Sequence, residues 1–477
     1  MGPSLEVRSP YDSSLIATLQ ASDASQVEAA LARAYAIYRD RKRWLPVAQR
    51  LEILRKAGVL LQERSEALAL EAAREGGKPL IDSRVEVVRA VDGIQCCIDA
   101  LREHSGSVIP MQLNPASAGR IAFTQFEPIG VVAALSAFNH PVNLIIHQVG
   151  PAVSAGCPIL IKPASNTPLS CQSVVKIFHE AGLPPDYCQL ILTHDNELAT
   201  KMVSDPRVAF LSFIGSAKVG WTLRSKLAPG ARCSLEHGGV APVIVAEDAD
   251  LEQAVPILTK GAFYHAGQVC VSVKRVFAHK KIARALAEKL ASAAQQLRIG
   301  DPTDPKTEVG PLIRKAEVER VAEWVQEAVQ GGAELLSGGQ RVSESCFACT
   351  VLFNPPEDAK VSREEVFGPV LCVYSIEDLE EGIGRANQLE VSFQAAVFSK
   401  NLDTALYCYQ QLDASAVMVN DHTAFRVDWM PFAGLKNSGL GVGGIPFTLR
   451  DMQVEKMAVI RSAALSNSTG KMAKNGN

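Results

Sequence analysis

Ile121-Ala-Phe-Thr-Gln-Phe126, followed closely by Pro128-Ile-Gly-Val-Val-Ala-Ala-Leu135, is where the chain changes texture. Upstream, apolar residues recur at helical spacing over 24–42, 47–75 and 83–103, and Gly76-Gly77-Lys78-Pro79 reads as a helix cap followed by a proline stop. The alternating charges of those helices read as solvated faces. From Ile121 the period falls to two, and after Pro128 an apolar run of strand length follows. Strands expected at 158–162, 189–192 and 208–213 each precede a helix, at 169–182, 195–203 and 216–226. Short strands separated by helices of ~10–15 residues predict βαβ units and a mostly parallel sheet. A second alternation runs from about 240 to 430, with helices expected at 249–263, 281–297, 313–330, 376–387 and 401–412. The fold class is therefore α/β, with two doubly wound lobes in series.

Bulk composition excludes several classes of function. The 477 residues are 47% hydrophobic and 21% charged, with a net charge of −3, as in an ordinary globular protein. No basic tract suggests a nucleic-acid partner, and no stretch approaches the ~20 apolar residues of a membrane span. The N-terminus carries no apolar export segment, so a cytoplasmic protein is expected. Eleven cysteines, an odd number without a framework, point to reduced thiols. Cys346-Phe-Ala-Cys349 has the spacing of a metal or redox pair, but no second pair accompanies it, so no metal site is expected.

One thiol stands in a distinctive setting. Gly261-Ala-Phe-Tyr-His-Ala-Gly-Gln-Val-Cys270 sets a cysteine after a Gly-Gln turn and directly before a β-rich run, Val271 to Ala278. On such a corner a thiol is rigidly held yet open to a cleft, as a nucleophile requires. Two further turns suit a ligand as well as a purely structural role. Gly215-Ser216-x3-Gly220 opens a helix, where free N–H groups favour a pyrophosphate. Lys162 ends a predicted parallel strand, the edge at which ligands gather in open α/β sheets.

Together these pieces resemble the aldehyde dehydrogenase superfamily over about residues 5 to 462. The motifs are Pro128-Ile-Gly-Val-Val, Phe138-Asn139-His140-Pro141, Lys162-Pro-Ala-Ser165, Gly215-Ser216-x3-Gly220 and Leu235-Glu236-His237-Gly-Gly239. They continue as Gly267-Gln-Val-Cys270, Glu364-Glu365-Val-Phe367-Gly-Pro369 and Pro431-Phe-Ala-Gly434. The resemblance implies two Rossmann-like doubly wound lobes plus a small β oligomerisation flap. A coenzyme-binding domain is expected over 1–109 and 129–238, and a catalytic domain over 239–437. Oligomerisation elements are expected at 110–128 and 448–462, with a disordered tail at 463–477. It also implies that Cys270 attacks an aldehyde, that Asn139 and the Cys270 N–H stabilise the oxyanion, and that Glu236 activates the hydrolytic water. Lys162, Ser165, Gly215, Ser216, Gly220, Glu365 and Phe367 are then the residues for a NAD or NADP cofactor.

Ser165 stands where NAD-preferring relatives often carry a glutamate, so repulsion of a 2′-phosphate is absent and NADP is tolerated. His237 replaces a common leucine, either packing or tuning Glu236. Val442-Gly443-Gly444 replaces the usual Arg-Glu-Gly. The chain looks most like the lactaldehyde dehydrogenase-like branch, whose members include enzymes of small polar or anionic aldehydes such as sulfoacetaldehyde. Arg426, in Phe425-Arg-Val-Asp-Trp-Met430, either binds an anionic tail or forms an ion pair, and His140, Tyr264 and Arg120 are further substrate candidates. The alternatives are a CoA-acylating semialdehyde dehydrogenase, which Glu236 argues against, and a non-catalytic nucleotide-binding relative. A homodimer or homotetramer is expected.

Overall fold

The computed structural model describes residues 4–103 and 105–466. A six-stranded sheet has the spatial order Gly439–Leu440, Arg232–Glu236, Val208–Ile214, Val131–Leu135, Ile159–Lys162, Cys188–Leu190. All its pairings are parallel except that of the Gly439–Leu440 edge. Val131–Leu135 is buried at every position, because a central parallel strand has helices on both faces. The chain winds outward from it to Cys188–Leu190, then returns to add Val208–Ile214 on its other side. That reversal opens a crevice beyond the carboxyl ends of the strands, next to Leu135 and Ile214.

The second sheet has seven strands in the order Glu334–Ser337, Thr350–Phe353, Val370–Ile376, Arg275–His279, Pro242–Val245, Gln394–Phe398, Ala416–Val419. It is parallel except between the first two. Its core, formed by Val243, Phe277, Leu286, Val321, Leu371 and their neighbours, is separate from that of the six-stranded sheet. Only five residues, 237–241, link Glu236 at the carboxyl end of one sheet to Pro242 at the amino end of the other. The short crossing makes the C-terminal edge of the first sheet face the N-terminal edge of the second. The helix Ile445–Asp451 then brings the chain back, burying Ile445 and Leu449 in the first core.

A three-stranded antiparallel sheet, ordered Gln453–Arg461, Arg120–Pro128, Val108–Ile109, stands apart. Strand structure therefore covers only 120–128 of the 110–128 segment, and residues 448–451 of the expected 448–462 element belong to the helix Ile445–Asp451. Ala463–Ser466 form a helical turn rather than tail, and 467–477 lie outside the described residues. The hairpin Ser4–Arg8/Leu15–Gln20 had no counterpart in the sequence reading.

Two expectations need correction. The charges of the expected helices are not all solvated: Glu75 and Glu86 are buried, as are Lys78 and Asp82 between them. Glu86 takes Lys78 Nζ at 2.5 Å and caps the helix Asn143–Ala155 by accepting from Val142 N at 2.8 Å and Asn143 N at 3.0 Å. And the strand after Cys270 begins only at Arg275. Residues 271–273 are drawn off instead: Thr423 Oγ1 donates to Val271 O at 2.7 Å, while Ser272 Oγ and Val273 N donate to Gly261 O at 2.9 and 3.1 Å. The Val271 side chain is buried against the site and that of Val273 in the core of the seven-stranded sheet.

Candidate active site

A cavity of about 1090 Å³ fills the crevice between the two sheets. Cys270, Glu236, Asn139, Lys162, Gly215, Ser216, Glu365, Phe367, Arg426, His140 and Tyr264 all line it. The approach to Cys270 is backbone held in unusual conformations. His265, Ala266 and Gly267 have φ of 48°, 54° and 67° in succession, and left-handed non-glycine residues carry strain that persists only where packing enforces it. Gly267 cannot be replaced without disturbance, since a Cβ there would fall 2.3 Å from Gly368 O and 2.7 Å from Lys274 Nζ. Lys274, fully buried, donates to Gly267 O at 2.9 Å and Gly368 O at 2.7 Å, tying the cysteine turn to the loop that carries Glu365 and Phe367. Burial pushes its ammonium down, with the Glu365 carboxylate opposing.

Cys270 Sγ lies 3.9 Å from Glu236 Oε1, within reach for a sulfur donor. Burial, then the Glu236 and Glu365 carboxylates, push the thiol well above its ordinary value. Burial also raises Glu236, against the pull of Arg426, whose Nη1 is 3.9 Å from Oε1. The resting pair is thus a protonated thiol beside a carboxylate of enhanced basicity. Asn139 Nδ2 is aimed by its bond to Gln268 O at 3.0 Å. Gln268 is itself pinned, accepting from Ile313 N at 2.9 Å and donating to Pro311 O at 3.2 Å.

Arg426 is 90% buried, counted from the 10% exposure of its side chain. Its guanidinium stacks on Phe432 at 3.6 Å, and Nη2 contacts His147 Nδ1 at 3.4 Å. Its Nε, a buried atom, has no hydrogen-bond partner among the described residues. Arg89 and Lys260 line the same end of the cavity; Arg89 pairs with Asp428 at 2.6 Å and Lys260 with Asp82 at 2.7 Å. His140 Nε2 and Tyr264 Oη are 3.1 Å apart. Arg89, His147 and Asp428 were absent from the sequence candidates; a histidine inside the apolar run Leu144-Ile-Ile-His-Gln was the available signal.

The opposite end of the cavity suits a dinucleotide. Leu135, Phe213, Ile214, Val219 and Leu223 offer an apolar wall, with Lys162 and Lys218 at its polar margin. Ser216 caps the helix Ala217–Arg224 without a side-chain bond, leaving the first-turn donors beside the cavity. The Glu365 carboxylate, pushed up to about 8 by burial, has an unpartnered Oε1. It occupies space that only a glycine at 238 leaves, since a Cβ there would lie 1.9–2.0 Å from it. Ser165 and Gly220 do not line the cavity. Gly220 makes room for His237 instead, whose ring would meet an added Cβ at 2.0 Å. His237 Nδ1 pairs with Gly215 O at 2.9 Å between Phe213 and Trp221, so it packs and braces the turn.

Arg120 does not reach the cavity, contrary to expectation: its guanidinium donates to Ala116 O at 2.7 Å and Ala118 O at 3.1 Å, folded back onto the turn before its own strand. Cys346 and Cys349 are buried packing thiols, the latter pushed up to about 12 by burial.

The family profile described as "Aldehyde dehydrogenase family" matches residues 2–458. The chain belongs to the aldehyde dehydrogenase family. It is an oxidoreductase acting on aldehydes, and the family's cofactor is NAD or NADP. Among curated relatives, 3-sulfolactaldehyde dehydrogenase of Priestia megaterium is 38% identical over 412 residues, covering 86% of both chains. Lactaldehyde dehydrogenase of Methanocaldococcus jannaschii is 35% identical over 460 residues, covering 96% of this chain and 97% of that one. The solved glyceraldehyde-3-phosphate dehydrogenase GapN of the same organism, complexed with NADP, superposes with a TM-score of 0.91 at 35% identity, covering 96% and 99% of the two chains.

Proposed function

We propose that this aldehyde dehydrogenase oxidises a small aldehyde of two to four carbons, bearing an anionic group or a hydroxyl, to the free carboxylic acid. The observation that carries this reading is the buried Arg426 guanidinium at the reacting end of the cavity, with an unpartnered Nε and Cys270 nearby. Arg89 and Lys260 stand at the same end, each paired with a buried aspartate, so Arg426 is the cation turned to a ligand, and a planar guanidinium favours carboxylate, sulfonate or phosphonate. The relative named for a sulfonated aldehyde accords with it.

Glu236, 3.9 Å away, takes the Cys270 proton, and the thiolate adds to the carbonyl carbon. Asn139 Nδ2 and the Cys270 N–H hold the resulting oxyanion; losing one such donor typically costs ~2.7–4 kcal/mol. Lys162, the Gly215-Ser216 turn, Glu365 and Phe367 would hold the dinucleotide, whose nicotinamide supplies the hydride acceptor when bound. With the substrate left as a Cys270 thioester and the first proton passed from Glu236 to solvent, the freed Glu236 carboxylate deprotonates a water, which displaces the thiolate and releases the acid. Retention of Glu236 favours water over CoA as acyl acceptor. The adenosine end carries Lys162 and Lys218 and no carboxylate among its lining residues, which supports use of NADP as well as NAD. Self-association as a dimer or tetramer is supported by Ile121, Met457, Val459 and Ile460, exposed on the three-stranded sheet. The free thiols accord with a reducing, cytoplasmic setting.

A panel of anionic and neutral small aldehydes, assayed with both cofactors for reduced nicotinamide and for acid product, tests this reading. Arg426→Ala should raise KM for anionic aldehydes by ~10-fold or more, from the loss of a charged hydrogen bond. Unchanged KM for anionic and neutral aldehydes alike would remove the anion pocket, and discrimination above ~1000-fold against NADP would contradict the cofactor reading.

A further inference from the structure

We infer that Asp428 and His147 form a positioning pair that sets the orientation of the Arg426 guanidinium, and so the preference for an anionic aldehyde; this rests on the anion-binding reading of Arg426. Asp428 is buried and gathers donors from two helices. Arg89 Nη2 and Nε reach it at 2.6 and 3.2 Å from Leu80–Glu103; Asn143 Nδ2 at 3.1 Å and His147 Nε2 at 2.7 Å come from Asn143–Ala155. Asn143 and His147, four residues apart, share one helix face, so a single carboxylate can take both. Burial works to raise the Asp428 carboxyl, but the bonds from His147 and Arg89 prevail and hold it well below the usual range. It is therefore ionised, and an ionised carboxylate can only accept.

The tautomer of His147 follows from that. Its Nε2 must carry the proton given to Asp428. Burial first, then Arg426, hold the ring down to about 4, so it is neutral and Nδ1 presents a lone pair. Arg426 Nη2, 3.4 Å from Nδ1, belongs to a group that can only donate. Each donor and acceptor along Asp428, His147 and Arg426 is thus assigned without choice. His147 fixes one edge of the guanidinium and Phe432 one face, at 3.6 Å, while Nη1 faces Glu236 Oε1 at 3.9 Å and Nε has no partner among the described residues. Asp428 simultaneously holds Arg89, which lines the cavity from the other lobe. Neither His147 nor Asp428 lines the cavity, so both act through the arginines.

Two replacements of His147 separate orientation from bulk structure. In His147→Gln the amide lies near the place of Nε2, keeping a donor for Asp428 while removing the acceptor for Arg426. In His147→Asn the side-chain oxygen lies near Nδ1 and keeps that acceptor. With the two-carbon sulfonate aldehyde and propanal as probes, His147→Gln should lower the anionic-to-neutral ratio of kcat/KM by about tenfold, through KM of the sulfonate, as expected for one charged hydrogen bond. His147→Asn should retain most of the ratio. Equal losses for both aldehydes, no loss, or identical behaviour of the two variants would overturn the assignment. Arg426→Gln identifies which level fails: if it abolishes the preference and His147→Gln does not, the pair is wrong and the anion pocket stands. If Arg426→Gln leaves the preference intact, the pocket fails and the pair with it. Nitrogen-15 NMR of histidine-labelled wild-type protein needs no variant to be active. The His147 ring should show a protonated Nε2 and a bare Nδ1 at neutral pH, whereas a protonated Nδ1 would refute the tautomer.

Discussion

Replacing Arg426 by methionine removes a cation from beside the proposed general base while keeping an unbranched apolar stem. Arg426 Nη1 is 3.9 Å from Glu236 Oε1, a separation at which two unit charges interact by about 4 kcal/mol in an effective dielectric of ~20. The guanidinium charge is spread over three nitrogens and the carboxylate charge over two oxygens, so the effective separation is larger and the interaction nearer 2 kcal/mol. One pKa unit corresponds to ~1.4 kcal/mol, so an interaction of that size is resolved in a pH profile. The sign is upward: burial raises Glu236 and Arg426 opposes it, so without the cation Glu236 keeps its proton to higher pH. The same substitution makes the Cys270 thiol less acidic, because Arg426 is among the groups that lower it. A neutral aldehyde, propanal, keeps anion binding out of the measurement. Stopped-flow burst rates report acylation and decay of the acyl-enzyme reports hydrolysis, each followed from pH ~5.5 to ~9. The alkaline shift should appear in both limbs. An acidic limb of acyl-enzyme decay that moved by less than ~0.3 unit, below the smallest effect this geometry allows, would refute the electrostatic coupling.

Two further outcomes follow from the buried charges. Lys78→Met breaks the ion pair with Glu86 and should cost about 3–5 kcal/mol in urea unfolding, the usual penalty for an orphaned buried charge; a loss below ~1 kcal/mol would mean that the two N–H donors to Glu86 suffice alone. Burial holds the His147 ring down to about 4, well below the ordinary imidazole value of ~6.5, so stability is lost as pH falls through that interval, when the unfolded chain binds the extra proton. Between pH ~7 and ~5 this contributes about 2 kcal/mol, which should vanish from the wild-type pH dependence in His147→Gln, and an identical dependence in both proteins would contradict a neutral buried ring.

The alternation of short apolar strands with amphipathic helices was readable because periodicity is imposed locally by burial. The expected helix 281–297 is found as Lys280–Gln296, and 401–412 as Leu402–Gln411. Where burial comes from elsewhere, local reading fails. Val271 and Val273 look like strand residues, yet Val271 is buried at the site and Val273 in the core of the seven-stranded sheet, with their backbones tethered to Thr423 and Gly261. Alternating charges over 47–103 look solvated, but Asp82 and Glu86 face inward, because partners far along the chain or at a helix terminus compensate them. Cys270, Glu236 and Asn139 carried no decisive signal singly; the order of the family motifs singled them out, and the fold brings all three to one cavity. Arg89, His147 and Asp428 escaped notice because their meaning lies in a contact spanning 281 and 339 residues of sequence separation.

The proposed chemistry depends on a sulfur-bound acyl group that water removes only with help from Glu236. Glu236→Gln keeps the shape of the site and takes away its base. Mixed rapidly with aldehyde and cofactor, this variant should release reduced nicotinamide in a burst of about one equivalent per active site or less, slowed by the missing base. It should then stall, with intact-protein mass spectrometry finding the acyl adduct on Cys270. Steady turnover at the wild-type rate with no adduct would contradict the account at its centre.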